Sequence, residues 1–249
     1  MARPRLVVAL TLALLLGATG CTGVAPRLEA LQGADVVLLG EQHDDPAHQR
    51  AHAAVVRSLA SRGTLAAVAI EMAERGTGTA ALPRDASGPQ VREALRWNEQ
   101  GWPWRAYEPA VMAAVAAGVP VIGANLPRAR MRAAMDDAAL DTLLDEAALA
   151  AQREAIRRGH CDLLPARQVQ PMVRVQVARD RSMAETVREA AVPGKAVVLI
   201  AGAGHVDPRL GVPRHLPPSL HVRALALERS GEAPATDHCE EMRRQLRQR

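Results

Sequence analysis

The chain has 249 residues, 48% of them apolar, which is enough for one sizeable domain with a buried core. It carries 31 basic and 27 acidic residues, a formal net charge of +4, and its sequence pI is about 9.6. The basic residues are interleaved with acidic ones, and three Trp, one Tyr and no Phe leave few rings for base stacking. We therefore expect no nucleic-acid partner.

The first 20 residues are predicted to be a signal peptide. Two arginines in MARPR precede the apolar stretch LVVALTLALLLGA, which is short for a membrane span and typical of a signal-peptide core. Small residues stand directly before Cys21, so the mature chain is predicted to begin at a lipidated Cys21. The alternative is a plain secretory signal with an incidental cysteine. By resemblance to bacterial lipoproteins, the lack of Asp at position 22 favours the outer membrane.

Four short, continuous apolar runs predict strands that are covered on both faces of a sheet. These runs are DVVLLG from 35, LAAVAIE from 65, VPVIGAN from 119 and AVVLIAGAG from 196. A fifth segment, LHVRALALE from 220, alternates more and is predicted to be an edge strand.

Helical segments lie between the predicted strands. The first has Asp45 as its N-cap, Pro46 in its first turn and Gly63 as its stop, and the segment AYEPAVMAAVAAG ends at Gly118. Strand and helix therefore alternate along the chain. This alternation predicts an α/β fold with a mainly parallel sheet flanked by helices.

Residues 126–194 break this alternation. Two long segments rich in Ala and Arg predict helices, with Pro127 and Pro171 in their first turns, and no strand-like run lies between them. We predict a smaller helical insertion here, packed over one end of the sheet, within a single domain over 21–249. A second interruption, over 83–105, holds all three tryptophans.

Ionisable residues follow the predicted strands. GEQH places Glu41 and His43 after the first strand, IEMAE places Glu71 at the last position of the second, and GAGH places His205 after the fourth. Because ligands bind at the carboxyl ends of the strands in an open parallel sheet, we expect these side chains to share a site. Two imidazoles and a carboxylate suit a divalent metal ion or acid–base catalysis. Alternatively, each histidine caps a turn or bonds a backbone carbonyl.

Two further groups are weaker candidates. Tyr107 follows WPWR at a helix start, and its phenolate is either a ligand for ferric haem or an ordinary interfacial group. His160 and Cys161 follow a helix end, where packing and a soft-ligand pair are both open. Cys161 and Cys239 would be able to pair in an oxidising compartment, although their spacing does not decide this.

His48 and His52 are four residues apart on a predicted helix, a spacing that can bind a metal ion on one face. His52 shares its face with apolar residues, so we expect a half-buried histidine instead. Common motifs for nucleotide binding and serine hydrolysis are absent from the sequence, which lowers the support for both activities.

The sequence resembles the ChaN-like haem-binding lipoproteins, which belong to a wider group with the Tiki and TraB proteins. Matching stretches occur in family order from about residue 31 to 227: LLGEQHDDPAHQ, AIEM, GWPWRAYEP, GVPVIGANLPR, HCDLLP, MVRVQVARDRSMAE and GAGHVDPRLGVPRHL. The resemblance implies a parallel sheet with flanking helices and a small helical domain. It also implies haem binding at the cell envelope in iron acquisition, with haem at or near a dimer interface and tyrosine as an iron ligand.

We favour the hypothesis of a non-enzymatic haem-binding protein. Haem would lie in an apolar cleft between the sheet end and the helical insertion, with Tyr107 as the first candidate iron ligand. If Tyr107 does not match the ligand position of the family, His160, Cys161 or His205 would replace it. Side chains expected to contact the haem ring or its propionates are Trp97, Trp102, Trp104, Arg128, Arg130 and Arg132.

The second hypothesis is a metal-dependent hydrolase or peptidase. His43, Glu71 and His205 match the pattern of the Tiki side of the group and would hold a divalent ion. Water bound to that ion would attack an amide or ester, with Glu41 as the general base. A third possibility is a structural lipoprotein whose polar cluster only ties loops together.

Overall fold

The computed structural model describes residues 28–230 and 237–247, so the predicted signal peptide and Cys21 lie outside the described residues. Five strands form one parallel sheet in the order β3-β2-β4-β1-β5. The strands are β1 (Val36–Glu41), β2 (Leu65–Glu74), β3 (Val121–Asn125), β4 (Ala196–Gly202) and β5 (Val222–Ala226). The predicted α/β class is confirmed, and β5 lies at the edge of the sheet as expected.

Helices cover both faces of the sheet. The helices of the described chain are α1 (Pro46–Ser61), α2 (Gly88–Ala94), α3 (Trp104–Ala116), α4 (Arg128–Asp136), α5 (Glu146–Gly159), α6 (Ala166–Ala190) and α7 (His238–Arg247). One face of the sheet, with Val37, Val68 and Val198, packs against α1 and α3. The other face, with Val36, Ala67 and Val197, packs against α6. This double cover explains why the central strands are continuous apolar runs.

The ends of the first helices agree with the predictions. The Asp45 side chain caps α1 by accepting a hydrogen bond from the Ala47 amide at 3.0 Å. Gly63 and Gly118 follow α1 and α3 with φ of +69° and +72°, the left-handed conformation that glycine adopts without steric cost.

Between β3 and β4 the chain forms α4, α5 and α6, joined by short non-helical segments and a 3-10 helix. Helix α6 belongs to two cores, because its later residues pack on the sheet while Val169 and Val173 pack with α5. The prediction that Pro171 lies in a first turn is wrong, since α6 begins at Ala166 and Pro171 lies inside the helix. Pro171 has no amide hydrogen to donate to the preceding turn of the helix. The packing of the buried side chains Val169 and Val173 compensates for this lost hydrogen bond.

Gly40, in β1, leaves room for the chain segment that carries His205. A β-carbon at position 40 would collide with the Val206 side chain and would lie 3.0 Å from the Ala203 Cα. We therefore expect Gly40→Ala to lower the free energy of unfolding by about 1–3 kcal/mol, measured by urea denaturation. Gly204→Ala is the matched control, because nothing lies within 4 Å of a β-carbon there. Equal stabilities for the two variants would contradict the prediction.

Candidate functional site

Three of the predicted side chains meet at the carboxyl edge of the sheet. His43 follows β1, Glu71 lies in β2, and His205 follows β4. The His205 Nε2 lies 3.3 Å from the Glu71 Oε1, and the His43 Nε2 lies 4.0 Å from the Glu71 Oε2. Glu71 therefore stands between the two imidazoles.

The backbone fixes the position of Glu71. Its Oε2 accepts a hydrogen bond from the Gly202 amide at 2.8 Å, and its carbonyl oxygen accepts one from the Asn125 side chain at 2.9 Å. The expectation that Glu71 ends its strand is wrong, because β2 continues to Glu74. The register of β2 against β3 shifts between Ile70 and Glu74, so an apolar run alone does not reveal where the strand ends.

A buried ion-pair network surrounds His205. The His205 Nδ1 lies 2.6 Å from the Asp180 Oδ1, and its Nε2 faces Glu71. Burial opposes the charge on this imidazole, but the two carboxylates outweigh it and raise the pKa of His205 to about 10. Burial likewise opposes the charge on Glu71, yet the nearby charge of His205 holds the pKa of Glu71 well below its usual range. Burial raises the pKa of Asp180 to about 6, although His205 partly offsets this effect.

Glu41 organises the other half of the site. Its Oε1 accepts a hydrogen bond from the Tyr107 hydroxyl at 2.6 Å and lies 2.7 Å from the His43 Nδ1. Burial and the negative charge of Glu41 raise the pKa of Tyr107, so the phenol stays protonated. The His52 Nδ1 lies 3.4 Å from the Glu41 Oε2, and burial lowers the pKa of His52 to about 4.

His43 is the solvent-facing member of this cluster. Its side chain is 38% exposed, whereas those of Glu41 and Glu71 are almost wholly buried. The ring packs edge-on against Trp102 with centroids 4.7 Å apart. Burial of part of the ring opposes its protonation, but the hydrogen bond to Glu41 and the charge of Glu71 raise the pKa of His43. Because Glu41 engages Nδ1, Nε2 is the nitrogen that remains for a ligand.

A cleft of about 350 Å³ adjoins the cluster. We call it the central cleft, and it lies between the Trp102 loop, the ends of β2 and β3, and helices α4 and α6. Its lining residues are Glu71, Met72, Glu74, Asn98, Trp102, Asn125, Leu126, Arg128, Met131 and Arg179. The predicted haem contacts Trp102 and Arg128 thus lie together in one cleft, whose volume is in the range of about 300–1,000 Å³ for small-molecule sites.

The remaining predicted haem contacts lie elsewhere. Trp97 packs against Trp104 and Tyr107 in the core, with centroids at 4.9 and 5.7 Å. Arg130 lines a different cavity, between α4 and α6, and Arg132 forms an exposed ion pair with Asp136. Trp97 and Trp104 therefore support the fold around the central cleft, whereas Arg130 and Arg132 lie outside the cleft.

Of the residues predicted as iron ligands, Tyr107 and His205 are buried and inaccessible to a ligand in this structure. Tyr107 is 2% exposed and donates its hydroxyl hydrogen to Glu41. His205 is buried, and carboxylates face both of its ring nitrogens. Neither side chain can reach a haem unless the buried network opens.

The other two predicted ligands lie in the helical insertion. Cys161 forms a disulfide with Cys239, so the prediction that it offers a thiolate ligand is wrong. His160 caps the end of α5, where its Nδ1 donates to the Ile156 carbonyl at 2.8 Å. Nε2 is thus the nitrogen of His160 that remains for another partner.

His48 and His52 are both fully buried, more deeply than the half-buried position expected for His52. The His48 Nδ1 accepts a hydrogen bond from the Gln42 amide at 2.9 Å, so Nε2 carries the proton and donates to the Glu228 carbonyl at 2.8 Å. His48 thus ties loops together, which is the structural role considered above for the histidines of the site.

Two side chains at or beside the site are not among the residues predicted from the sequence. Asp180 and Arg179 both lie in α6, far along the chain from the strand ends. Asp180 stands one helical turn from the buried residues Val177 and Ala184. An aspartate on an apolar helical face is a signal of a buried partner, because a buried carboxylate needs one.

The metal-dependent alternative gains no support from this geometry. Within residues 28–230 and 237–247, no group of three His, Cys, Asp or Glu side chains is placed to hold a metal ion.

In the same part of the chain, no helix is both long and apolar enough to cross a membrane.

The comparisons with known proteins agree with the architecture. Residues 27–216 match the family model described as haem-binding uptake, Tiki superfamily, ChaN. The chain belongs to this family. A solved structure of ChaN from Campylobacter jejuni, described as showing cofacial heme binding, is 24% identical to this ChaN-family chain and has a TM-score of 0.67. The match covers 79% of this chain and 82% of that one, and at this identity it supports the fold alone.

A second solved structure, of the type III effector HopBA1, is 15% identical, with coverage of 85% of this chain and 86% of the other. Its TM-score of 0.41 is too low to support an argument. No curated protein sequence matches this ChaN-family chain significantly.

Proposed function

We propose that this chain is a haem-binding lipoprotein of the cell envelope that takes part in haem or iron acquisition. Its membership of a family described as haem-binding uptake proteins carries the proposal. Lipid on Cys21 would tether it to the outer membrane, in keeping with the apolar leader and the small residues before that cysteine.

The central cleft suits a flat ligand with both apolar and anionic parts. Trp102, Met72 and Met131 offer apolar surface, and Arg128 and Arg179 line the same cleft. A haem there would contact Trp102 through its ring. Bound haem would supply an iron centre that a side chain of the protein would ligate.

His43 is the side chain best placed to provide that ligand. It is exposed, it packs against Trp102 of the central cleft, and its Nδ1 is engaged by Glu41. A carboxylate behind a histidine fixes the ring orientation and makes the other nitrogen a better ligand. Tyr107, the ligand that the family resemblance implies, would first have to release Glu41.

Two further features support the location and the assembly. The Cys161–Cys239 disulfide is typical of proteins exposed to an oxidising compartment such as the envelope. The related C. jejuni protein is described as binding haem cofacially. We propose by analogy that haem in this protein lies where two copies of the chain meet, so that the second copy covers the open side of the cleft.

A hemin titration tests haem binding and the axial ligand. We expect the purified protein to shift the Soret band of hemin in a saturable way. His43→Ala should change the band position or weaken binding at least 10-fold, because it removes the axial nitrogen. Tyr107→Phe should leave the band position unchanged.

The two variants separate the binding proposal from the ligand assignment. Unsaturable behaviour of the unmodified protein would reject haem binding itself. An altered spectrum for Tyr107→Phe with a normal one for His43→Ala would assign the iron to the tyrosine instead. His221→Ala serves as the control, because His221 is an exposed histidine at the start of β5, remote in sequence from both residues.

A further inference from the structure

Arg179 presents an unsatisfied donor beside the central cleft. Its Nε is buried and has no hydrogen-bond partner among the described residues. No carboxylate in the described part of the chain lies within 4.0 Å of its guanidinium nitrogens, although most arginines of α5 and α6 are paired in this way. Because buried N–H groups are almost always hydrogen bonded in native proteins, an unpartnered one beside a cleft indicates a missing acceptor.

The charge around Arg179 favours an anionic acceptor. Arg128, on the same cleft, is exposed and forms no ion pair with another described residue. Of the two acidic residues in the lining, Glu71 is already compensated by His205. Glu74 accepts a hydrogen bond from the Arg128 backbone amide at 3.1 Å. The lining of the cleft therefore holds two arginines and one carboxylate that no charged side chain neutralises.

We infer that Arg179, assisted by Arg128, forms a carboxylate-binding subsite in the central cleft, and that the propionates of haem occupy it. The inference rests on the proposed haem binding and extends it, because it assigns the propionate end of the ligand to α6. A planar guanidinium matches the two oxygens of a carboxylate, which a single ammonium group cannot do. Trp102, on the same cleft, would then contact the apolar part of the ring.

Binding of two porphyrins to matched variants tests the inference. Hemin carries two free carboxylates, and hemin dimethyl ester has the same iron and ring with both carboxylates blocked. Dissociation constants for both are measured by absorbance in one detergent buffer. We expect Arg179→Gln to weaken hemin binding about 10-fold or more while binding of the ester stays unchanged, as expected for loss of a charge-assisted hydrogen bond.

Arg181→Gln is the matched control, since Arg181 lies two residues further along α6, lines the separate cavity between α4 and α6, and pairs with Glu185. Arg179→Lys should recover only part of the lost affinity, because it restores the charge without the planar pair of donors. Thermal melting of each variant without haem checks that the fold is intact.

The outcomes separate the subsite from haem binding. If the unmodified protein binds hemin and the ester equally well, or if Arg179→Gln weakens both to the same extent, the carboxylate subsite is wrong while haem binding stands. If the unmodified protein binds neither porphyrin, both proposals fail. A loss confined to hemin and to the Arg179 variants supports the assignment.

Discussion

His205→Ala is expected to lower the free energy of unfolding by about 3–5 kcal/mol, the usual cost of removing one partner from a buried ion pair. The substitution leaves Glu71 and Asp180 without the cation between them, and both carboxylates are nearly inaccessible to solvent. Urea denaturation at pH 7 measures the effect. His221→Ala is the control and should change stability by less than about 0.5 kcal/mol, because His221 is exposed.

The pH dependence of the free energy of unfolding gives a second test of the role of His205. The pKa of His205 is raised to about 10 in the folded protein, above the unfolded value of about 6.5. The folded state therefore holds an extra proton between these two pH values, and stability falls as the pH rises through that range. We expect this fall in the unmodified protein and a clearly smaller one in His205→Ala. Parallel stability curves for the two proteins would show that the imidazole is not charged in the folded state.

Loss of the Cys161–Cys239 disulfide is expected to destabilise the protein by about 4–5 kcal/mol in the chain-entropy model. The two cysteines are 78 residues apart, so the bond removes much of the freedom of the unfolded chain. The test compares urea unfolding of the unmodified protein with that of the double variant Cys161→Ser, Cys239→Ser. The double variant should unfold at a lower urea concentration.

A reductant provides the control for the disulfide. Dithiothreitol should lower the unfolding midpoint of the unmodified protein toward that of the double variant, and it should not move the midpoint of the variant itself. A midpoint that reductant leaves unchanged in the unmodified protein would mean that the bond is absent or resistant to reduction. Only if the bond is absent would it no longer support a location in the envelope.

The sequence predicts which strand ends carry the site, because the pattern of apolar residues reveals the strands. Apolar runs define β1, β2 and β4, and the carboxyl ends of parallel strands must share an edge, so His43, Glu71 and His205 meet there. The end of β2 cannot be predicted in this way. The strand extends to Glu74 through a shift in register that depends on its pairing with β3 and leaves no local trace in the sequence.

The side chains supplied by helices were harder to predict. Tyr107 was recognised as a candidate, but its burial against Glu41 depends on how α3 packs over the sheet. Asp180 and Arg179 come from a helical insertion predicted to pack over one end of the sheet, whereas α6 packs against one of the faces of the sheet. Cysteine spacing left the Cys161–Cys239 pairing open, because a disulfide depends on distance in space rather than along the chain.

The polar cluster draws on β1, β2, α3, α6 and the segment after β4, which are spread over most of the described chain. None of these pieces can form the cluster alone, because its contacts join distant parts of the chain and closing the large loops between them costs entropy. A partly folded chain would therefore lack the site. A ligand that binds only the completed fold would also stabilise it against unfolding, and this stabilisation rises with the logarithm of the ligand concentration above the dissociation constant. The resistance of the chain to proteolysis would then report on how much free ligand surrounds it.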